Sequence, residues 1–188
     1  MIKSLFSKLS LVSAIALISL PVVATAAPTD STPVATEQPA SIPNQAATAP
    51  PTIASLDATL QQHPEDLDAR LQRGILHAQL AQNIPAIVDY TEVIRLDPNH
   101  ALAYNNRAAV KVNMRDYWGA YLDYSQVVRI LPDKAITYNN RAFARHRFGD
   151  CKGAIADLRI AAELFRLQGD PVNQQRALAN LKVFQRKR

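Results

Sequence analysis

An all-helical solenoid of antiparallel helix pairs is the fold class this sequence predicts, and three observations carry that expectation. Pro64, Pro98 and Pro132 recur at a constant interval of 34 residues, and so do Ala86, Ala120 and Ala154, then Gly74, Ala108 and Ala142, then Asp89, Asp123 and Asp157. Tyr104-Asn105-Asn106-Arg107-Ala108 returns one interval later as Tyr138-Asn139-Asn140-Arg141-Ala142. From Ile53 onward the apolar residues keep helical spacing, with no strand-like alternation. A fixed period of this length marks stacked units, each too small to bury its own apolar face. Such an architecture offers a surface rather than a catalytic cleft.

The chain has 188 residues, with 21 basic and 16 acidic side chains and a formal charge of +5. Much of the excess sits in Lys3, Lys8 and the tail Arg186-Lys187-Arg188. The rest is close to balanced, with no basic stripe through the repeats, so nucleic acid is not the expected partner.

Taken in order, residues 1–26 read as an export signal. Lys3 and Lys8 give a positive start, Leu9 to Leu20 is apolar apart from serines, and Pro21 breaks it. Ala24-Thr25-Ala26 supplies the small residues that signal peptidase needs, with cleavage after Ala26. The competing reading is an uncleaved anchor, because Leu9 to Ala27 approaches spanning length. Residues 27–52 form a linker of Pro, Ala, Thr, Ser and Gln that cannot bury enough apolar surface to order itself. An O-glycosylated stalk is the compositional alternative.

Residues 53–188 form the folded domain. Ile53, Leu56 and Leu60 share one face of a helix over 53–62, which Pro64 follows. Helix pairs are expected at 66–80 with 84–96, 100–114 with 118–130, and 134–148 with 151–167. Asn83, Arg115-Asp116 and Gly149-Asp150 mark the turns within pairs. Asp97-Pro98-Asn99 and Pro132-Asp133 mark those between pairs, since a residue preceding proline is driven out of the helical region. Gly169-Asp170-Pro171 announces a last helix over 171–186, with Leu178, Leu181 and Phe184 as its apolar residues. Gly74 with Ala86, Ala108 with Ala120, and Ala142 with Ala154 are the small residues expected where helix axes approach closely. Arg73, Arg107 and Arg141 each precede an aspartate by 16 residues, Asp89, Asp123 and Asp157, which reads as a structural bridge within each pair.

These residues resemble the tetratricopeptide repeat, whose pattern places an aromatic, a small residue, an alanine, a second aromatic and a proline at set spacings. The middle unit fits best through Tyr104, Ala108, Ala120, Tyr124 and Pro132. The first has Arg70 where the aromatic should stand, and the third has Leu158 and Arg166 in place of the second aromatic and the proline. The resemblance covers repeats at about 67–100, 101–134 and 135–168. It implies a right-handed α-solenoid, with helix 53–62 and helix 171–186 as N- and C-terminal caps.

It also implies a concave binding face lined by the first helix of each pair. The residues matched to that face include Leu71, Gln72, Gln79, Asn105, Asn106, Asn113, Asn139, Asn140, Phe143 and Arg147. Asn106 and Asn140 stand where asparagines in similar proteins hold a peptide backbone, since an amide both donates and accepts. Both are expected to be exposed without a ligand. The alternative is that the asparagine pairs tie the helix starts. Chaperone-tail binders of this fold clamp a terminal carboxylate with basic residues, but Ile136 and Asn140 occupy two of those places here.

No catalytic constellation is present in the sequence. His63, His77, His100 and His146 lack metal-ligand spacing, and five glycines leave no phosphate loop. Cys151 reads as a buried, inert thiol. The expectation is therefore a non-catalytic module without cofactor or metal, binding a peptide or protein partner. A homo-oligomer is the alternative, for which exposed Tyr117 and Trp118 at a turn are suited, although Trp118 is equally suited to cover the stack's edge. Its compartment is exported, with periplasm first and thylakoid lumen or secretion behind it.

Overall fold

Residues 50–186 are described by a computed structural model; the expected export segment and residues 27–49 of the linker lie outside the described residues. Eight helices follow one another: α1 Ile53–Gln62, α2 Leu67–Gln79, α3 Asn83–Leu96, α4 Ala101–Asn113, α5 Tyr117–Ile130, α6 Ala135–Phe148, α7 Cys151–Leu167 and α8 Pro171–Arg186. Each packs on the next, and α2 also reaches α4. Asn83 and Tyr117, read as turn residues, are instead the first residues of α3 and α5.

Two kinds of turn set this path. Between pairs, the residues closing α1, α3 and α5 are His63, Asp97 and Leu131, with φ near −128° or −129° and extended ψ of 76°, 94° and 75°. Proline follows each one and enforces that exit. Within pairs, Ala81, Arg115 and Gly149 take positive φ of 56°, 64° and 102°. The next residue then donates its N–H back to the carbonyl five residues earlier: Gln82 to His77 at 2.8 Å, Asp116 to Lys111 at 2.9 Å, Asp150 to Arg145 at 2.9 Å. This left-handed closure satisfies carbonyls that the ending helix leaves open.

The same residue that closes one helix opens the next. Asp116 Oδ1 accepts from the Gly119 N–H at 2.9 Å, and Asp150 Oδ1 accepts from Gly153 at 2.8 Å. Gln82, their counterpart, makes no such bond. Pro85 stands three residues on and has no N–H to offer.

Small residues build the core, as expected. Ala86, Ala108, Ala120, Ala142 and Ala154 are fully buried, with Tyr90, Tyr124 and Leu158 one turn beyond Ala86, Ala120 and Ala154. Each such large side chain stabilises the stack by roughly 1.5–3 kcal/mol. Gly74 is required where it stands, because a Cβ there would lie 2.8 Å from Tyr90 Cε1. Leu71, assigned to the open face from sequence, is buried in the core with Ala86, Tyr90 and Val93. In α8, Leu181 and Phe184 pack on the core beside buried Ala177, while Leu178 is exposed.

The arginine bridges are all present and extend further than one pair. Arg73 binds Asp89 in a fork, Nε to Oδ2 at 3.0 Å and Nη2 to Oδ1 at 2.6 Å, and also holds Asp57 of α1 at 2.7 Å. Arg107 repeats the fork on Asp123 at 2.9 and 2.7 Å and donates to Thr91 of α3 at 2.9 Å. Arg141 forks Asp157 at 2.9 and 2.7 Å. There Ser125, which would be its partner in α5, bonds the Tyr121 carbonyl instead. A second cation stands by each of the three aspartates: Arg70 lies 4.0 Å from Asp89, Lys111 2.8 Å from Asp123 and Arg145 3.3 Å from Asp157.

Candidate functional site

The open face of the stack narrows into a cavity of about 500 Å³ near its C-terminal end. Helices α4, α6 and α8 form its walls. Ala109, Val112 and Asn113 come from α4; Asn139, Asn140 and Phe143 from α6; Asn180 and Phe184 from α8. Tyr124 of α5 and Leu158 of α7 close the floor. Helical periodicity explains the grouping, since residues three or four apart share a face.

Four asparagines therefore surround one space: Asn113, Asn139, Asn140 and Asn180. None of their side chains hydrogen-bonds another described residue. Each amide keeps its donors and its acceptor for a ligand. Between them lie the apolar surfaces of Val112, Phe143 and Phe184. Among the described residues, no charged side chain lines this cavity. Burial, reinforced by the charge of Asp123, pushes the Tyr124 hydroxyl up to about 12, so the floor is neutral as well.

Of the residues assigned to the concave face from sequence, Asn113, Asn139, Asn140 and Phe143 meet around this cavity. Gln72 and Gln79 are exposed on α2, outside its lining. Asn105 donates to Asn106 Oδ1 at 3.5 Å, and Asn106 faces the Tyr90 hydroxyl. Asn106 and Asn140 are half-buried rather than exposed. Arg147 is turned to α5: Nη2 donates to the Tyr117 hydroxyl at 2.7 Å, and the guanidinium lies 4.7 Å from that ring's centre. Asn180 and Phe184 were not assigned to the site from sequence. The amphipathic pattern of 171–186 shows an apolar stripe, but nothing in it says that the stripe's edge turns into the groove.

One further expectation changes. Cys151 is half-buried rather than buried, at the first residue of α7, with Sγ 3.8 Å from His146 Nδ1. The His146 ring stacks on Phe184 with centroids 3.8 Å apart, which fixes α8 against α6. Trp118 meets Phe148 edge-on at 5.2 Å and Tyr121 at 5.2 Å, so one side covers the stack while the other stays exposed. Among the described residues, no group of three or more His, Cys, Asp or Glu is placed to hold a metal ion. No described helix is long and apolar enough to cross a membrane.

An all-helical stack of paired helices with an open groove is the architecture of tetratricopeptide-repeat domains, and solved structures bear this out. The first TPR domain of Spaghetti (RPAP3), bound to the HSP90 peptide SRMEEVD, matches with a TM-score of 0.58 at 20% identity over 65% of this chain and 93% of that one. The TPR2B domain of yeast Sti1, in its pHsp70 complex, gives 0.60 at 19% identity, covering 65% and 98%. The Arabidopsis OM64 TPR domain gives 0.55 at 25% identity, covering 63% and 95%. No protein-family model matches the chain, and no curated protein matches it. The likeness is one of fold.

Proposed function

We propose that this chain is a non-catalytic interaction module that binds an extended segment of a partner protein on its concave face. It would serve as an adaptor or assembly factor in an exported compartment, with the periplasm the first candidate. The observation that carries the reading is the ring of four unpartnered amides around an apolar cavity. An extended peptide needs donors and acceptors for its backbone and apolar recesses for its side chains. The Spaghetti and Sti1 domains, whose structures hold HSP90 and pHsp70 partners, lend the reading support.

The test is affinity purification from the native envelope, followed by calorimetric titration of the recovered partner. Replacing Asn140 by alanine removes one neutral hydrogen bond, worth about 0.5–1.5 kcal/mol, so affinity should fall roughly 2- to 13-fold. Phe143→Ala should weaken binding further while the melting temperature holds, since that ring is 42% exposed. Affinity unchanged in both variants would move the binding surface elsewhere. Export has its own measurement: N-terminal sequencing of native protein should begin at Ala27. An intact Met1 in a membrane fraction would reject cleavage.

A second reading, self-association, is favoured by one specific feature. Ile84 and Val88 on α3, with Trp118 and Leu122 one repeat later on α5, form an exposed apolar ridge. Light scattering decides it: a stable dimer that dissociates on Trp118→Glu would establish the ridge as an interface.

A further inference from the structure

Beside the first cavity lies a second, of about 380 Å³, lined by residues of α6, α7 and α8. Asn139 and Asn180 line both, so this amide pair stands between the two spaces. The second cavity differs in charge. Among the described residues, Arg176 is the only charged side chain that lines either cavity. It makes no ion pair within 4 Å among the described residues; its nearest polar contact is Asn173 Oδ1 at 3.4 Å. Asp170 is the acidic group close enough to feel Arg176, but both its oxygens are taken by Asn173, Oδ1 by the backbone N–H at 3.0 Å and Oδ2 by the side-chain amide at 2.6 Å. The guanidinium is therefore exposed, with its donors uncommitted to any carboxylate.

We propose that the two cavities form one bipartite site for a peptide segment with a bulky apolar residue followed closely by a carboxylate. This rests on the groove reading above and names the partner's chemistry. The apolar side chain enters between Phe143 and Phe184. Asn139 and Asn180 hold the backbone where the segment passes between the cavities. The carboxylate then reaches Arg176, where a planar fork can bind it through two donors. Arg176 and Phe184 stand eight residues apart on α8, about 12 Å of helix, and an extended chain advances roughly 3.3 Å per residue, so the acid falls about three to four residues from the apolar anchor. The helix α8 thus acts as more than a cover for the stack: it supplies Phe184 to one half of the site and Arg176 to the other.

Selection of a random-peptide phage library on the full chain tests this. Selected sequences should share an aromatic or large aliphatic residue with Asp or Glu within about four positions. A synthetic winner should lose about tenfold or more in affinity with Arg176→Glu, and a similar amount when its own acid is replaced by the matching amide. Arg176→Lys should restore part of the loss. Phe184→Ala should abolish the preference for a bulky anchor. Arg176 is exposed, so its variants report on binding even if Phe184→Ala loosens α8; circular dichroism of each variant shows which case holds. Winners that bind Arg176→Glu as well as the wild type, yet are lost on Asn140→Ala, would overturn the bipartite site and leave the groove reading standing. A library that yields no binder would overturn both.

Discussion

Ala81, Arg115 and Gly149 occupy one turn position in three successive helix pairs, and all three adopt left-handed backbone. Only the third is glycine. For an L-residue that conformation costs roughly 1–2 kcal/mol, while glycine's extra freedom when unfolded takes back about 0.5–1 kcal/mol. Ala81→Gly and Arg115→Gly should therefore each raise stability by about 0.5–1 kcal/mol, and Gly149→Ala should lower it by a similar amount. Urea denaturation measures all three. The opposite order would mean that these turns do not need the left-handed closure. The asparagines divide at this same scale. Asn105 and Asn106 bond each other, whereas Asn139 and Asn140, at the same repeat positions one unit on, face the cavity. Identical words in the two repeats thus acquire different roles, because only the later pair has α8 opposite it.

At the scale of helices, two contacts decide how tightly a pair closes. Ala120 is fully buried where α5 meets its neighbours. Ala120→Leu must overpack that contact and should cost on the order of 1–3 kcal/mol. An unchanged denaturation midpoint would place the helix axes elsewhere. The second contact is ionic. Because Asp123 is only 3% exposed and held by both Arg107 and Lys111, it cannot be treated as a surface pair worth at most ~1 kcal/mol. Asp123→Asn keeps the shape and removes the charge between two cations. It should cost about 3 kcal/mol, the scale of a broken buried pair. The Arg107→Met, Lys111→Met, Asp123→Leu triple variant should recover much of that loss, because replacing all three partners leaves no buried charge unpaired. A triple variant no better than Asp123→Asn alone would show that the fork supplies net stability.

Across the whole molecule, the repeated arginine–aspartate forks join the first helix of each pair to the second, and Arg73 and Arg107 also reach back to the preceding helix. The stack is thereby stitched along its length, and stability should be shared between neighbours rather than held in one core. Its alkaline limit follows from two buried tyrosines. Burial, and then the charge of Asp89, pushes the Tyr90 hydroxyl up to about 12; burial and Asp123 do the same to Tyr124. An unfolded tyrosine titrates near 10. The folded chain therefore keeps protons that the unfolded chain loses. This contribution is complete below about pH 10 and disappears as pH rises through about 12. Denaturation midpoints should fall over that window, and Tyr90→Phe should flatten the fall. An equally steep fall in that variant would assign the loss to other groups.

The sequence by itself determined the period, the helix pairs, the small residues at the axis contacts and the ionic bridges. Each of these is local or repeats at a fixed interval: proline and left-handed turns act within a few residues, and a pattern copied three times shows itself without any fold. Tertiary structure decided what depends on distant segments meeting. Leu71 belongs to the core rather than the open face because α3 lies over it, and Arg147 is drawn to Tyr117, 30 residues away in sequence. Asn180 and Phe184 joined the site, and Arg176 stands beside it, for one physical reason. Helix α8 matches no repeat position, so periodicity says nothing about which of its faces turns inward; its packing against α7 and the His146–Phe184 stack fix that rotation.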